Sequence, residues 1–180
     1  MNKFIVLLRG INVSGQKKIK MIELKSLLEQ EGFFNVVTYI QSGNIVLDAK
    51  QSNTAEVSSI VRNMLDKTFG WDVKVLSKKP QEISNIVEAN PFSTLPDLNT
   101  KFLAVTMLED TPSAEKLELI APFNTADEQF KVLGNNIYIY CPNGFGRAKI
   151  SNNFFEQKLK VAATSRNWNT MNKLVALSSE

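Results

Sequence analysis

The sequence predicts an α+β fold made of two ferredoxin-like halves packed intimately together. Three observations carry this reading. The first 78 residues run in the order strand, helix, strand, strand, helix, strand, which is the split βαββαβ unit. After a connection bearing two prolines, the same theme begins again over residues 101–180. The opening strand Phe4-Ile5-Val6-Leu7-Leu8 is apolar at every position, as in a central strand covered on both faces. The expected divisions are a first half over 1–78, a helix and connecting loop over 79–100, and a second half over 101–180.

The elements follow in order. Phe4–Leu8 is the first strand. Met21, Leu24, Leu27 and Leu28 mark one face of a helix that ends at Gly32. Val36–Ile40 and Asn44–Leu47 are short strands, and Gln41-Ser42-Gly43-Asn44 supplies the glycine for the turn between them. Asn53 with Glu56 reads as a helix start. Val57, Ile60, Val61, Met64, Leu65 and Phe69 then share a face that Gly70 terminates. Val73–Leu76 closes the first unit. A right-handed crossover places its first strand centrally, beside the third.

Ile83, Ile86 and Val87 lie on a helix stopped by Asn90-Pro91. The second half continues with a strand at Phe102–Met107 and a helix from Thr111-Pro112 with Leu117 and Ile120 inward. Glu128–Leu133 and Asn136–Tyr140 form a hairpin across Gly134-Asn135. A helix opens at Asn153 with Glu156 and buries Phe155 and Leu159. The last helix runs from Asn167 to Leu177, with Met171, Leu174 and Val175 inward. No segment reads as a closing strand, so the second half is expected to be an incomplete βαββ unit followed by C-terminal helices.

Composition excludes several classes of function. With 43% hydrophobic and 22% charged residues, the chain is an ordinary globular protein. No apolar run approaches the ~18 residues of a membrane span. Arg9-Gly10 ends the N-terminal apolar run too soon for a signal peptide. The single cysteine, Cys141, rules out an intrachain disulfide and fits a cytoplasmic setting. The absence of histidine removes Ser-His-Asp and Cys-His chemistry and argues against zinc or copper. Neither cofactor nor metal is expected. Any acid–base catalysis would fall to Lys, Asp or Glu, and no pair is singled out. The net charge of +3 is unevenly spread. Residues 1–20 carry five basic residues and no acid, residues 141–180 carry a net +4, and the centre carries −6.

The topology places the loop after the first strand beside the turn after the second. Arg9, Asn12, Gln41, Ser42 and Asn44 then converge at one end of a sheet, and Gly70-Trp71 joins them there. A guanidinium, amides and glycine-freed backbone N–H groups suit a phosphate or carboxylate. The competing reading is that the asparagines satisfy loop backbone and Gly43 allows a positive φ. The stretch Gly10-x-x-x-x-Gly15-Gln16-Lys17 follows a strand and precedes a helix. It is not a P-loop, because its lysine is not next to the glycine and no Ser or Thr follows. A second polar group lies near the C-terminus. Arg147 and Lys149 sit in a glycine-rich basic loop, and Arg166 and Asn167 in a polar run read as a helix start. Cys141 reads as a packing residue.

Leu7-Leu8-Arg9-Gly10-Ile11-Asn12-Val13, Tyr39-Ile40-Gln41-Ser42-Gly43-Asn44, Arg147-Ala148-Lys149 and Ala163-Thr164-Ser165-Arg166-Asn167-Trp168-Asn169-Thr170 resemble the motifs of the DUF1697 family. This is a bacterial family of unknown function. The resemblance runs from the first strand to the last helix and implies a two-part α+β protein, with no established activity, cofactor or catalytic residue. The chain departs from the pattern at Ser14-Gly15, where the family usually has Gly-Gly, and at Ala148, where it usually has serine.

Three functions compete on this reading. The first is a binding protein or small enzyme for an anionic molecule, phosphorylated or carboxylated. Its site residues are Arg9, Asn12, Gln41, Ser42, Asn44, Arg147, Lys149, Arg166 and Asn167. The alternative is nucleic-acid binding. It is the weaker because the third strand, Ile45-Val46-Leu47, has no aromatic to stack a base. The third is a non-catalytic scaffold in which the polar motifs pin the fold together. Neither the oligomeric state nor the identity of a ligand is legible.

Overall fold

The structure is a computed structural model and describes residues 1–13 and 15–180. Ser14 lies outside the described residues, and with it the first position of the Ser14-Gly15 departure. The chain forms two units. One is Met1–Asn85 with Lys173–Glu180, and the other is Ile86–Asn172.

The first unit holds β1 (Asn2–Leu8), α1 (Met21–Gln30), β2 (Phe34–Tyr39), β3 (Asn44–Ala49), α2 (Thr54–Phe69) and β4 (Val75–Lys78). Its sheet has the order β2-β3-β1-β4, antiparallel throughout. The expected pairing of the first and third strands is present, with Phe4 opposite Leu47 and Val6 opposite Ile45. All five residues from Phe4 to Leu8 are fully buried. Phe4, Val6 and Leu8 pack with Leu24 and Leu28 of α1 and with Val57, Val61 and Leu65 of α2. Burial of each such side chain stabilises the fold by about 1.5–3 kcal/mol. Ile5 and Leu7 point to the opposite face and are buried as well.

The ends of α2 follow the sequence signals. Asn53 caps its start by accepting the Glu56 N–H at 2.8 Å, and Gly70 ends it at φ 67°. β4 begins two residues later than expected, because Val73 and Lys74 lead into it from the connection. The edge strand β2 carries an irregularity between Phe34 and Val37, with Asn35 at φ 49° and its amide donating to Asp48 Oδ2. Such a break twists an exposed edge and blunts further pairing.

α3 (Pro80–Glu88) leads from the first unit to the second. The second unit contains β5 (Leu103–Leu108), α4 (Ala114–Ile120), β6 (Gln129–Leu133), β7 (Asn136–Tyr140), α5 (Asn152–Leu159) and β8 (Ala163–Asn167), with α6 (Trp168–Ser179) closing the chain. Its sheet order is β6-β7-β5-β8, again antiparallel. Leu108, Ile137 and Ile139 pack with Ile120, Phe155 and Leu159.

The expectation of a missing last strand is wrong. Ala163–Asn167 is β8, paired with β5 so that Thr106 lies opposite Ser165 and Val105 opposite Arg166. The second unit therefore has all four strands. Hydroxyls and an arginine hide this strand from hydropathy, because it is an edge strand held by its partner and by side-chain hydrogen bonds. Thr106, fully buried, meets Ser165 Oγ at 2.6 Å, and Ser165 Oγ donates to Asn152 Oδ1 at 2.9 Å. The start of α5 also differs from expectation. Ser151 caps it by accepting the Phe154 N–H, while Glu156 reaches the N–H of Ala163 at the start of β8.

Candidate functional site

Nine polar residues stand out in the sequence. The structure places five of them in the first unit and four in the second.

In the first unit, the loop after β1 and the turn before β3 are neighbours. The Leu8 N–H donates to Gly43 O at 2.8 Å, and the Arg9 N–H donates to Lys74 O at 3.0 Å. Asn12 is the clamp between them. Its Nδ2 donates to Gln41 O at 2.9 Å and to Ile19 O at 3.0 Å, and its Oδ1 accepts the Ile19 N–H at 2.9 Å. Both amide hydrogens of Asn12 therefore hold loop backbone. Asn44 is fully buried, with its Nδ2 donating to Tyr39 O and Ser42 Oγ. Gln41 and Ser42 are exposed, and Arg9 is half-buried at the end of β1. Lys17 closes the loop onto the connection after α2 by donating to Asp72 O. Asn12 and Asn44 organise two loops and present no amide hydrogen outward.

In the second unit, Arg166 lies on β8, where burial pushes its guanidinium pKa down to about 10, so it stays charged at neutral pH. Its Nη1 donates to Ser165 O at 2.9 Å. Asn167 accepts the Thr170 N–H at 2.9 Å and so caps α6. The polar run read as a helix start is a strand through Ala163–Asn167, and α6 begins at Trp168 with Asn167 as its cap. Trp168 is buried beside Tyr138, whose hydroxyl donates to Ile86 O at 2.8 Å.

Arg147 and Lys149 are both exposed, in the segment after β7. The backbone there turns at Gly144, φ 87°, with its N–H on Cys141 O. Glu128 occupies the centre of this segment. One carboxylate oxygen accepts the N–H groups of Lys149 and Ile150, at 2.8 and 3.0 Å. Asp127 beside it accepts from Asn143 Nδ2 at 2.8 Å. Among the described residues, the side chains of Arg147 and Lys149 have no hydrogen-bond or ion-pair partner. Arg147, Asn143 and Gly144 line a cleft of about 430 Å³ together with Asp127 and Glu128. An adjoining cleft of about 400 Å³ shares the two carboxylates and is completed by Lys149 and Phe123.

The sequence reading missed Asp127 and Glu128 as partners of the basic loop. The signal was present in the hairpin. Gln129 pairs with Tyr140, so residues just before β6 must lie beside residues just after β7. The Cys141 thiol is buried and pushed up to about 11, first by desolvation and then by the nearby charge of Glu128. It is a packing residue, and no nucleophile, at neutral pH. Among the described residues, no group of three or more Cys, Asp or Glu is placed to hold a metal ion, and no helix is long and apolar enough to cross a membrane.

Two four-stranded antiparallel sheets with helices define a mixed α+β protein. The chain belongs to the DUF1697 family of proteins of unknown function, whose family model matches residues 1–138. The matched stretch ends at Tyr138, before Arg147–Lys149 and Ala163–Thr170. Comparison with functionally curated proteins gives no match. Among solved structures, the chain is similar to a conserved bacterial protein from Streptococcus pneumoniae at 22% identity and a TM-score of 0.69. The similarity covers 98% of each chain, and at this identity it speaks to the fold.

Proposed function

We propose that this chain is a binding protein for a small anionic molecule, phosphorylated or carboxylated, which it receives at Arg147. The observation that supports the reading is the state of that side chain. Among the described residues Arg147 is an exposed guanidinium without an internal partner, and it lines a cleft of about 430 Å³ together with Gly144. A guanidinium offers two parallel N–H donors to a carboxylate or phosphate, and a glycine lets an anion approach the main chain. The Asn12 corner is assigned a supporting role in this reading, because its amides are occupied by Gln41 and Ile19.

The nucleic-acid alternative draws less support. Tyr138 is buried and Tyr140 packs against Phe92, so these two tyrosines of β7 make a poor stacking platform. The scaffold reading accounts for Asn12 and Asn44 but leaves Arg147 without a purpose. On the same reading both units are ferredoxin-like, since each follows the element order βαββαβ with its first strand between its third and fourth. A cytoplasmic setting accords with the one free, buried thiol.

The test is calorimetric titration of the whole chain with inorganic phosphate, ethyl phosphate and propionate at low and physiological salt. Binding of at least one anion, weakened by salt and lost in Arg147→Ala, is the expected outcome. Absence of heat and of any thermal shift with all three at low salt would sink the reading.

A further inference from the structure

We propose that the Arg147 cleft is selective for a small zwitterion, one that carries a phosphate or carboxylate at one end and an ammonium group at the other. The inference rests on the anion-binding reading above and narrows it to a substrate class.

Its starting point is the charge of the cleft wall. Arg147 faces a cleft that it shares with two carboxylates, Asp127 and Glu128, and forms an ion pair with neither. Among the described residues each carboxylate is held by neutral donors. Asp127 takes the amide of Asn143, and Glu128 takes the backbone N–H groups of Lys149 and Ile150. These bonds position the acids without neutralising them. Glu128 is anchored to the backbone of Lys149 and Ile150, and the segment that carries Arg147 turns at Gly144.

A plain anion seated on Arg147 would also meet the field of two carboxylates, and like-charge contact discriminates against it. A plain cation at the carboxylates would meet the guanidinium. A molecule carrying both charges satisfies both walls, and neither half alone does. This is selection by an attractive and a repulsive element together. The neighbouring cleft has the same acidic wall but only the single ammonium of Lys149 as its cation, which lacks the bidentate fork of Arg147.

The experiment compares two matched pairs of probes by calorimetry: phosphoethanolamine against ethyl phosphate, and β-alanine against propionate. Within at least one pair the zwitterion is expected to bind tenfold or more tightly in the wild-type chain. Asp127→Asn, which keeps a side-chain oxygen for Asn143 and leaves Glu128 in place, should lower that ratio severalfold, and an unchanged ratio overturns the role of Asp127. Arg147→Ala should abolish binding of both members. Far-UV circular dichroism and thermal melts establish that each variant is folded. Equal affinity within both pairs overturns the zwitterion inference and leaves the anion reading standing. No binding of any probe removes both. Loss of binding in Lys149→Ala with retention in Arg147→Ala would overturn the assignment to this cleft.

Discussion

The side-chain amide of Asn12 donates to the main-chain carbonyl of Gln41 at 2.9 Å, across 29 positions of sequence. With the two bonds to Ile19, it makes one asparagine the tie between the loop after β1 and the turn before β3. Asn12 also has φ 54°, a conformation that asparagine tolerates better than most residues. Asn12→Ala should therefore cost about 2–4 kcal/mol, from unsatisfied backbone groups and the strained φ. Urea denaturation measures this. A loss below about 0.5 kcal/mol would show that the clamp contributes nothing.

Gly43 and Gly70 both have left-handed backbones, at φ +74° and φ +67°. A methyl on Gly43 would come within 2.7 Å of Leu8 Cβ and 2.8 Å of Ile11 Cδ1, whereas one on Gly70 meets nothing within 4 Å. Leu8 Cβ cannot move without its strand. Gly70→Ala should cost about 1 kcal/mol from conformation alone, and Gly43→Ala about 2–4 kcal/mol because steric overlap is added. Equal losses in the two variants would refute the packing argument.

The two long helices of the first unit begin differently. Asn53 caps α2, whereas Lys20 stands at the cap position of α1 with φ −73°, ψ 140° and no side-chain acceptor for the first N–H groups. Lys20→Asp should stabilise the protein by about 1 kcal/mol, and Asn53→Ala should destabilise it by a similar amount. Thermal melts of the two variants should move in opposite directions. A destabilising Lys20→Asp would indicate that this lysine has a role beyond ending the loop.

Stability should fall on the alkaline side. Burial, assisted by Glu128, raises the folded-state pKa of Cys141 from its ordinary value of 9.0 to about 11, and burial raises that of Tyr138. An acid with a raised pKa keeps its proton in the folded state after the unfolded chain has lost it. The unfolded state then binds fewer protons, and unfolding becomes easier with pH through that window. For Cys141 the effect is absent below about pH 8, grows from 9.0 toward 11, and reaches at most about 1.4 kcal/mol per pH unit. Denaturation curves from pH 7 to 11 should be flatter for Cys141→Ala than for wild type. Parallel curves would argue against a buried protonated thiol.

Much of the first unit was legible because its signals are local. Its strands are apolar runs, its helices carry apolar residues at helical spacing, and Asn53 and Gly70 mark the ends of α2 by their own chemistry. The adjacency of Arg9–Lys20 and Gln41–Asn44 was also legible, since it follows from the direction of the strands. Whether Asn12 and Asn44 bind a ligand or hold their own loops was not. Both uses place the same residue in the same polar loop, and only the tertiary positions of Ile19 O, Gln41 O and Tyr39 O show which backbone groups these amides hold.

The sequence by itself determined the α+β class and the positions of the polar segments, because hydrophobic periodicity and turn chemistry act over a few residues. Tertiary structure alone decided that Ala163–Asn167 is a strand, since a polar edge strand draws its identity from β5 beside it. It also decided that the basic loop after β7 donates two backbone N–H groups to the carboxylate of Glu128. That contact spans some 20 residues and depends on the hairpin register, which brings the start of β6 beside the end of β7.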